Sequence, residues 1–233
     1  MDQNRMPLVE ALQQFREEAP AYFRIPGHRF ERGLDEALNG ASLAAYDLSE
    51  AEGLDDLHHA EGVIAEAQRL AAETWKAKKT FFLVNGTTCG NEAMVLSSVK
   101  KGEKIIVPRN VHKSVLMGLI LCGATPVYVM PEYSTKWQMW GGVTPETIEK
   151  AFDETPDAKA VLLVSPTYYG LCSDLKAIAK ICHRHNAALL VDEAHGSHLY
   201  FSKELPSGAL ESGADACAQS IHKTAGSFTQ SSF

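Results

Sequence analysis

From residue 58 onward, short apolar runs alternate with longer segments in which apolar residues recur every three or four positions. The short runs are typical of buried strands, and the longer segments are typical of amphipathic helices. Strands alternating with helices predict a doubly wound α/β fold, in which a mostly parallel sheet carries helices on both faces. About six strands are predicted: TFFLV (80–84), KIIVP (104–108), TPVYVM (125–130), AVLLV (160–164), AALLVD (187–192) and DACAQS (215–220).

The same pattern divides the chain into segments. Residues 1–57 contain a first helix followed by Gly- and Asp-rich stretches, and we expect them to form an N-terminal arm on a main domain of residues 58–233. The chain stops after TQSSF without a closing helix or a second domain. We therefore expect it to be a fragment of a longer protein.

The helices that connect the predicted strands are expected at 59–77, 87–100, 112–122, from about 144 onward and at 174–185.

The amino-acid composition limits the kinds of molecule that the chain is expected to bind. The chain has 233 residues, 45% of them apolar, which is enough for a large domain with a proper core. Acidic residues outnumber basic ones, 29 to 22, and no basic run is longer than a pair. Neither a nucleic acid nor a membrane surface is therefore expected as a partner. We expect a small molecule, or another copy of the same chain.

The chain has no feature that predicts export or membrane insertion. Its five cysteines occur singly, without a CxxC pair, and the start MDQNRMPLVE lacks the regions of a signal peptide. The longest apolar run, residues 115–124, has about half of the length that a bilayer crossing requires. We therefore expect a cytoplasmic protein with reduced thiols.

Chemically active residues follow the predicted strands, where open α/β sheets bind their ligands. After the first strand, Gly86, Thr87 and Thr88 open a helix, and the free N–H groups and hydroxyls there form a site suited to phosphate. The alternative is that a threonine is an ordinary helix N-cap. Neither GxxxxGK[ST] nor GxGxxG is present, which argues against a P-loop or a dinucleotide fingerprint.

Two further strand ends carry a histidine and an aspartate. His112, at the start of a predicted helix, can present a flat imidazole to a ligand ring, or it can be a polar cap. Asp192 ends a fully apolar strand, where an unpaired carboxylate is costly. A protonated ring nitrogen of a ligand would satisfy it, and so would a salt bridge to an arginine.

Lys223 follows the last predicted strand, together with Ser220 and His222. A lone lysine is usually a surface residue, but in a dry pocket a lysine loses its proton and can form a Schiff base with a carbonyl. Phosphate, a protonated ring and a carbonyl occur together in pyridoxal 5'-phosphate. No metal site is expected, since His58, His59, His183 and His185 lack partners at ligand spacing and are expected to be solvated.

Six segments of the chain resemble the Orn/Lys/Arg decarboxylases, which are pyridoxal-phosphate enzymes of the aspartate-aminotransferase fold type. The segments are IPGHRF, DLSEAEGLDDLHHAEG, NGTTCGN, RNVHKS, DEAHG and SIHKTAGS, and they follow one another in the family's order. The resemblance implies an incomplete large domain of fold type I, a short form without the N-terminal regulatory domain, and a C-terminal small domain that is absent here. It also implies a homodimer or higher oligomer for the full-length protein.

The resemblance assigns roles to individual residues. Lys223 would form the Schiff base with the cofactor, Asp192 would pair with the pyridine nitrogen, and His112 would stack on the ring. Thr87, Thr88, Ser220 and His222 would hold the phosphate. His195 would lie near the phenolic oxygen of the ring, a position that is Trp in the large inducible members.

The expected reaction is decarboxylation of a basic amino acid. Arginine, giving agmatine, is favoured by the resemblance to the short members, while lysine and ornithine stay open. The alternatives are another fold-type-I enzyme, such as an aminotransferase or an aldolase-like lyase, or a non-catalytic fragment that binds the cofactor. The segments PGHR and LDDLHH favour decarboxylation.

Overall fold

The structure is a computed structural model that describes residues 2–18, 46–227 and 231–233. The chain divides between Thr80 and Phe81 into two compact units. None of the helices in the described ranges is long and apolar enough to cross a membrane. The same ranges contain no group of three or more histidine, cysteine or acidic side chains that could hold a metal ion.

In the first unit, helix α1 (Pro7–Glu18) packs against helix α2 (Val63–Thr74). The helix predicted at 59–77 is thereby confirmed in its central part. Gln3 donates its side-chain N–H to a Glu73 carboxylate oxygen over 2.9 Å, which ties the start of the chain to the end of α2. The IPGHRF segment at 25–30 lies outside the described residues.

The LDDLHH segment forms a 3₁₀ turn (Leu57–His59) and the approach to α2. Asp55 organises this approach, because its carboxylate accepts backbone N–H groups from both sides of the turn. Burial by itself raises the pKa of Asp55. The N–H donors outweigh this effect and lower the pKa to about 2. The donors are Asp56, Glu61, Gly62, Ile64 and Ala65, at 2.8 to 3.3 Å.

The second unit contains a five-stranded parallel sheet and a short hairpin. The strands are β1 (Lys104–Pro108), β2 (Thr125–Val129), β3 (Tyr133–Ser134), β4 (Met139–Trp140), β5 (Ala160–Val164), β6 (Ala188–Asp192) and β7 (Ala216–Ala218). The sheet has the order β2-β1-β5-β6-β7, so the strand order reverses between β1 and β5. Such a reversal opens a crevice at the carboxyl ends of the two strands.

Helices cover both faces of this sheet, which confirms the predicted doubly wound α/β fold. The helices are α3 (Gly86–Ser98), α4 (Lys113–Cys122), α5 (Pro145–Glu154), α6 (Leu175–Arg184) and α7 (Ile221–Thr224), and a 3₁₀ turn spans Leu199–Phe201. Successive residues of a strand point to opposite faces, so Ile105 packs under α3 and α4 while Ile106 packs under α5 and α6. Both side chains are fully buried.

One predicted strand is wrong, and one hairpin was not predicted. The run TFFLV at 80–84 is not a strand: only Leu83 forms a bridge, to Ser232, and Phe81 and Val84 are 58% and 71% exposed. Apolar composition favours a strand only where a neighbouring strand supplies partners, and the described residues give this run a single bridge. The β3–β4 hairpin was not predicted, because two-residue strands are too short to show a period of two.

His58, His59 and His183 are exposed, as predicted, whereas His185 is half-buried, so the prediction of a solvated side chain is wrong for His185. His183 Nε2 lies 3.0 Å from an Asp215 oxygen, and His185 Nε2 lies 3.6 Å from a Glu149 oxygen. Both carboxylates are far from the histidines in the sequence, so no local spacing indicates these pairs.

Candidate active site

A cleft of about 660 Å³ lies beyond the carboxyl ends of the parallel strands. Residues that follow β1, β6 and β7 meet there with the start of α3, because all these strands end at the same edge of the sheet. The structure places on its wall every residue that the sequence predicts for the site: Gly86, Thr87, Thr88, His112, Asp192, His195, Ser220, His222 and Lys223.

The N-terminus of α3 opens into this cleft. Gly86 has φ +64, a conformation that glycine adopts without strain, and the N-cap residue Asn85 makes no side-chain hydrogen bond to the helix. The first N–H groups of a helix have no partner within it, and the helix dipole places a partial positive charge there. The N–H groups at the start of α3 are therefore suited to an anion such as phosphate.

Thr87 is not an N-cap, so that interpretation is wrong. Its hydroxyl instead forms hydrogen bonds with the hydroxyls of Ser220 and Ser232, the latter at 2.8 Å. Thr87 and Ser220 are both buried. These contacts tie the start of α3 to the residues after β7. They bring His222, whose Nδ1 donates to the Ser231 carbonyl over 3.2 Å, to the same side of the cleft.

Asp192 ends β6 at the cleft and is only 3% exposed. One carboxylate oxygen accepts the Asn91 side-chain N–H over 2.8 Å, and the other accepts the Ala194 backbone N–H over 3.2 Å. Neither donor is charged. A salt bridge to arginine, the alternative from the sequence, is not among the contacts of Asp192 in the described residues. A cationic ligand atom would therefore gain from lying beside this carboxylate.

His112 is the N-cap of α4, as the alternative interpretation predicted, and it also lies on the cleft wall. Its Nδ1 lies 2.8 Å from the Ser114 hydroxyl and accepts the Ser114 backbone N–H over 3.3 Å. Capping through Nδ1 leaves the imidazole ring exposed at the wall. The capping role and the ligand-facing role are thus compatible in one residue.

Lys223 lies on the rim of the cleft in the short helix α7, and it is exposed. The prediction of a dry pocket around it is wrong for the described chain, because α7 begins after the buried N-cap residue Ser220 and carries Lys223 out to the rim. Its Nζ lies 3.3 Å from His195 Nε2. Burial and then the neighbouring Lys223 cation lower the pKa of His195, while Asp192 opposes this effect.

An aromatic side chain completes the His195 environment. The ring of Tyr168, which follows β5, meets the His195 ring edge-on with 5.8 Å between centroids. Tyr168 is itself 81% exposed and lines the cleft. The loop after β5 therefore contributes to the site, although the sequence analysis assigned no site residue to it.

A buried polar network lies directly behind the site residues Asp192 and Ser220. Glu193 is fully buried, and its oxygens accept hydrogen bonds from the Tyr200 hydroxyl, the Gln219 side chain and the Ala209 backbone at 2.7 to 2.9 Å. Burial raises the pKa of Glu193, and these donors partly offset the increase. The network joins the residue after Asp192 to the residue before Ser220.

The cleft combines a helix N-terminus with free N–H groups, a buried carboxylate with uncharged donors, and an amine beside an imidazole. These features fit a ligand that has a phosphate, a ring nitrogen that carries a proton, and a carbonyl group. Pyridoxal 5'-phosphate has all three.

Known proteins share this chain's sequence pattern over nearly its whole length. The profile of the family described as "Orn/Lys/Arg decarboxylase, major domain" matches residues 6–233. The chain belongs to the Orn/Lys/Arg decarboxylase family. This confirms the assignment made from the six sequence segments.

Two curated relatives within the family are named arginine decarboxylase. One, from Halalkalibacterium halodurans, is 46% identical over 99% of this chain and 48% of its own length. The other, from Bacillus cereus, is 44% identical over 100% of this chain and 51% of its own length. The chain thus spans about half the length of these relatives.

The solved structure of lysine decarboxylase A from Pseudomonas aeruginosa has the same fold. It is 25% identical, with a TM-score of 0.80, over 97% of this chain and 34% of that one. The predicted fold type is thereby confirmed for this member of the Orn/Lys/Arg decarboxylase family.

Two buried residues of the site were not predicted from the sequence. Asn91 and Ser114 are 1% and 0% exposed, and Asn91 donates to both Asp192 and Ser114. The role of Asn91 could have been predicted from its position. It lies four residues after Thr87 and therefore on the same face of α3.

Proposed function

We propose that this chain carries the cofactor site of a pyridoxal-phosphate-dependent decarboxylase of basic amino acids, with arginine as the substrate. The observation that carries the proposal is the buried Asp192 carboxylate, held by uncharged donors at the floor of a cleft with Lys223 on its rim. Membership of the Orn/Lys/Arg decarboxylase family supports the reaction. Relatives named arginine decarboxylase support the choice of substrate.

The start of α3 and the residues after β7 would hold the phosphate. The N–H groups of Thr87 and Thr88 lie at the uncapped helix N-terminus, and Ser220 and His222 line the same side of the cleft. Oriented N–H groups and hydroxyls bind a dianion without a full positive charge of their own. These residues would thus fix one end of the cofactor.

Asp192 and His112 would hold the ring. A carboxylate beside the ring nitrogen favours the protonated form of that nitrogen, because the opposite charge stabilises it. The exposed face of the His112 imidazole supplies a flat surface for stacking. When bound, pyridoxal 5'-phosphate supplies an electron-poor ring that accepts the electron pair left by the departing CO2.

Lys223 and His195 would hold and move protons on the open side of the cleft. Lys223 supplies the amine that anchors the cofactor's carbonyl carbon, and its Nζ lies 3.3 Å from His195 Nε2. A proton can therefore be held between these two nitrogens. Burial and Lys223 lower the pKa of His195, which favours the neutral imidazole, the form that can accept a proton.

A spectroscopic titration tests the cofactor site. We expect the purified chain to develop the visible absorption band of lysine-linked pyridoxal 5'-phosphate, and Lys223→Ala to abolish that band. Lys203→Ala is the matched control, since Lys203 is an exposed lysine away from the cleft wall. A band of equal strength in Lys223→Ala would contradict the role of Lys223.

Release of CO2 from arginine, lysine and ornithine then tests the reaction and the substrate. The proposal expects release from arginine to exceed release from the other two. Transfer of the amino group to a keto acid without CO2 would instead identify an aminotransferase. Cofactor binding without either reaction would limit this chain to the cofactor site.

A further inference from the structure

Four side chains form one continuous hydrogen-bonded chain beneath the cleft. Asn91 Nδ2 lies 2.8 Å from Asp192 Oδ2 and 2.9 Å from Ser114 Oγ, and Ser114 Oγ lies 2.8 Å from His112 Nδ1. The two central residues, Asn91 and Ser114, are buried to at least 99%. They connect the end of β6 to the start of α4 through α3, and none of the roles assigned above uses them.

The direction of the first two bonds follows from the chemistry of the amide. Asn91 has two N–H donors on Nδ2, and each is directed at one acceptor, Asp192 or Ser114. Turning the amide over would place Asn91 Oδ1 against the Asp192 oxygen, an acceptor against an acceptor. The orientation with both hydrogens donated is therefore fixed, although it leaves Oδ1 buried without a partner in the described part of the chain.

The direction of the third bond follows in turn. The Ser114 hydroxyl accepts from Asn91, so its own hydrogen is available for His112 Nδ1. The Ser114 backbone N–H also points at this nitrogen, over 3.3 Å. A ring nitrogen that accepts from two donors carries no proton, so the proton of the neutral imidazole is on Nε2.

We propose that Asn91 and Ser114 are positioning residues that hold His112 as the tautomer protonated at Nε2 and hold Asp192 as a hydrogen-bond acceptor. The consequence for the reaction rests on the proposed function. The ring stacked on the cofactor then offers a ligand one fixed donor, Nε2–H, and takes up no proton at Nδ1. The same hydrogen-bonded chain sets the position of the carboxylate beside the ring nitrogen.

Nitrogen-15 NMR of histidine-labelled full chain, without cofactor, tests the tautomer directly. Spectra are recorded at about pH 8.5, above the ordinary titration range of histidine. The signals of His112 are those lost in His112→Gln. We expect Nδ1 to have the shift of an unprotonated nitrogen and Nε2 that of a protonated one. A protonated Nδ1, or shifts averaged as in a histidine dipeptide, would overturn the proposal.

Substitutions test whether the two buried residues cause this preference. Ser114→Ala removes the hydroxyl donor, and Asn91→Leu removes the group that orients it. Both are expected to move the two His112 shifts toward those of the dipeptide, with Ser114→Ala having the larger effect. Ser97→Ala, which removes an α3 hydroxyl bonded to the Met94 carbonyl, is the control and leaves them unchanged. Unchanged His112 shifts in both variants would refute a positioning role.

Cofactor titration of the same variants measures the consequence. Ser114→Ala is expected to weaken binding of pyridoxal 5'-phosphate about threefold to tenfold, the worth of one hydrogen bond. Ser114→Thr, which keeps the hydroxyl, restores both the tautomer and the affinity. If the unsubstituted chain binds no cofactor, the proposed function fails, whereas the NMR result still decides the tautomer. Tighter or equal binding by Ser114→Ala contradicts the functional consequence.

Discussion

At the scale of single residues, Lys223 and His195 share the rim of the cleft, and the charge of one affects the other. Burial lowers the pKa of His195, and the positive charge of Lys223 lowers it further. Lys223→Met removes the charge but keeps an apolar stem, so we expect the pKa of His195 to rise. An NMR titration of the histidine ring measures this, with Lys203→Met as the control. A lower pKa in Lys223→Met would contradict the proposed contact.

Asp192 provides a second test. Asp192→Asn keeps the size of the side chain and its buried position but removes the negative charge. We expect the variant to retain bound cofactor and to lose most of its turnover, by about a hundredfold or more, since one electrostatic partner of a reacting group is removed. Absorption spectra measure the cofactor and CO2 release measures turnover. Near-normal turnover would show that the carboxylate charge is not needed.

Glu193 is important for stability rather than for contact with a ligand. Glu193→Ala leaves the Tyr200 hydroxyl, the Gln219 amide and the Ala209 N–H without their acceptor. We expect the free energy of unfolding to fall by about 3 kcal/mol, measured by urea denaturation. Glu193→Gln should cost less, because Gln219 can turn toward the new amide its side-chain oxygen, which has no partner among the described residues. Equal losses in the two variants would contradict this account.

The residues of the site were predictable to the extent that each lies at or shortly after the end of a strand. His112 and Asp192 have such positions, and sheet geometry then brings them to one cleft. Asn91 lies in the second turn of α3 and Ser114 in the first turn of α4, where sequence alone does not distinguish a buried polar residue from a solvated one. The exposure of Lys223 depends on how far α7 projects, which no local pattern encodes.

At the scale of elements, the start of α2 depends on Asp55. Its pKa in the folded state is about 2, below the ordinary value of an aspartate. The carboxylate therefore contributes stability that is present above about pH 4 and is lost as the pH falls toward 2. We expect Asp55→Ala to lower the free energy of unfolding by about 1 to 2 kcal/mol at pH 7, the worth of a helix cap.

The measurement for Asp55 is urea denaturation as a function of pH, followed by the circular dichroism of the helices. Asp56→Ala is a suitable comparison, since Asp56 caps only the three-residue 3₁₀ turn. The difference in stability between Asp55→Ala and the unsubstituted chain should shrink between pH 4 and pH 2. A difference that stays constant with pH would show that the charge of Asp55 does not contribute.

Element prediction succeeded where burial is continuous and failed where it is not. The AVLLV run at 160–164 matches β5 to the residue, because a strand with neighbours on both sides and helices on both faces must be apolar throughout. TFFLV is also mostly apolar, yet its residues 81 and 84 are exposed. An apolar composition is compatible with a strand, but the segment forms one only where neighbouring strands supply hydrogen-bond partners.

At the scale of the whole molecule, a ligand in the cleft contacts residues from distant parts of the second unit. Binding to the folded state alone raises its stability, by about 2.7 kcal/mol at a ligand concentration of 100 times Kd. We therefore expect pyridoxal 5'-phosphate to raise the midpoint of thermal unfolding, followed by circular dichroism. The increase should be absent or much smaller in Lys223→Ala. A cofactor-independent midpoint in the unsubstituted chain would contradict binding at this cleft.

The two sides of the cleft are far apart in the sequence, and this separation determines when the cleft can form during folding. Its wall needs the start of α3 near residue 86 and the helix α7 near residue 223, so nearly the whole second unit lies between its two sides in the sequence. Contacts between such distant residues form slowly, after local helices. A growing chain therefore cannot complete this cleft until β7 and α7 have emerged from the ribosome and β7 has joined the sheet. Recovery of ligand binding during refolding consequently reports the docking of β7.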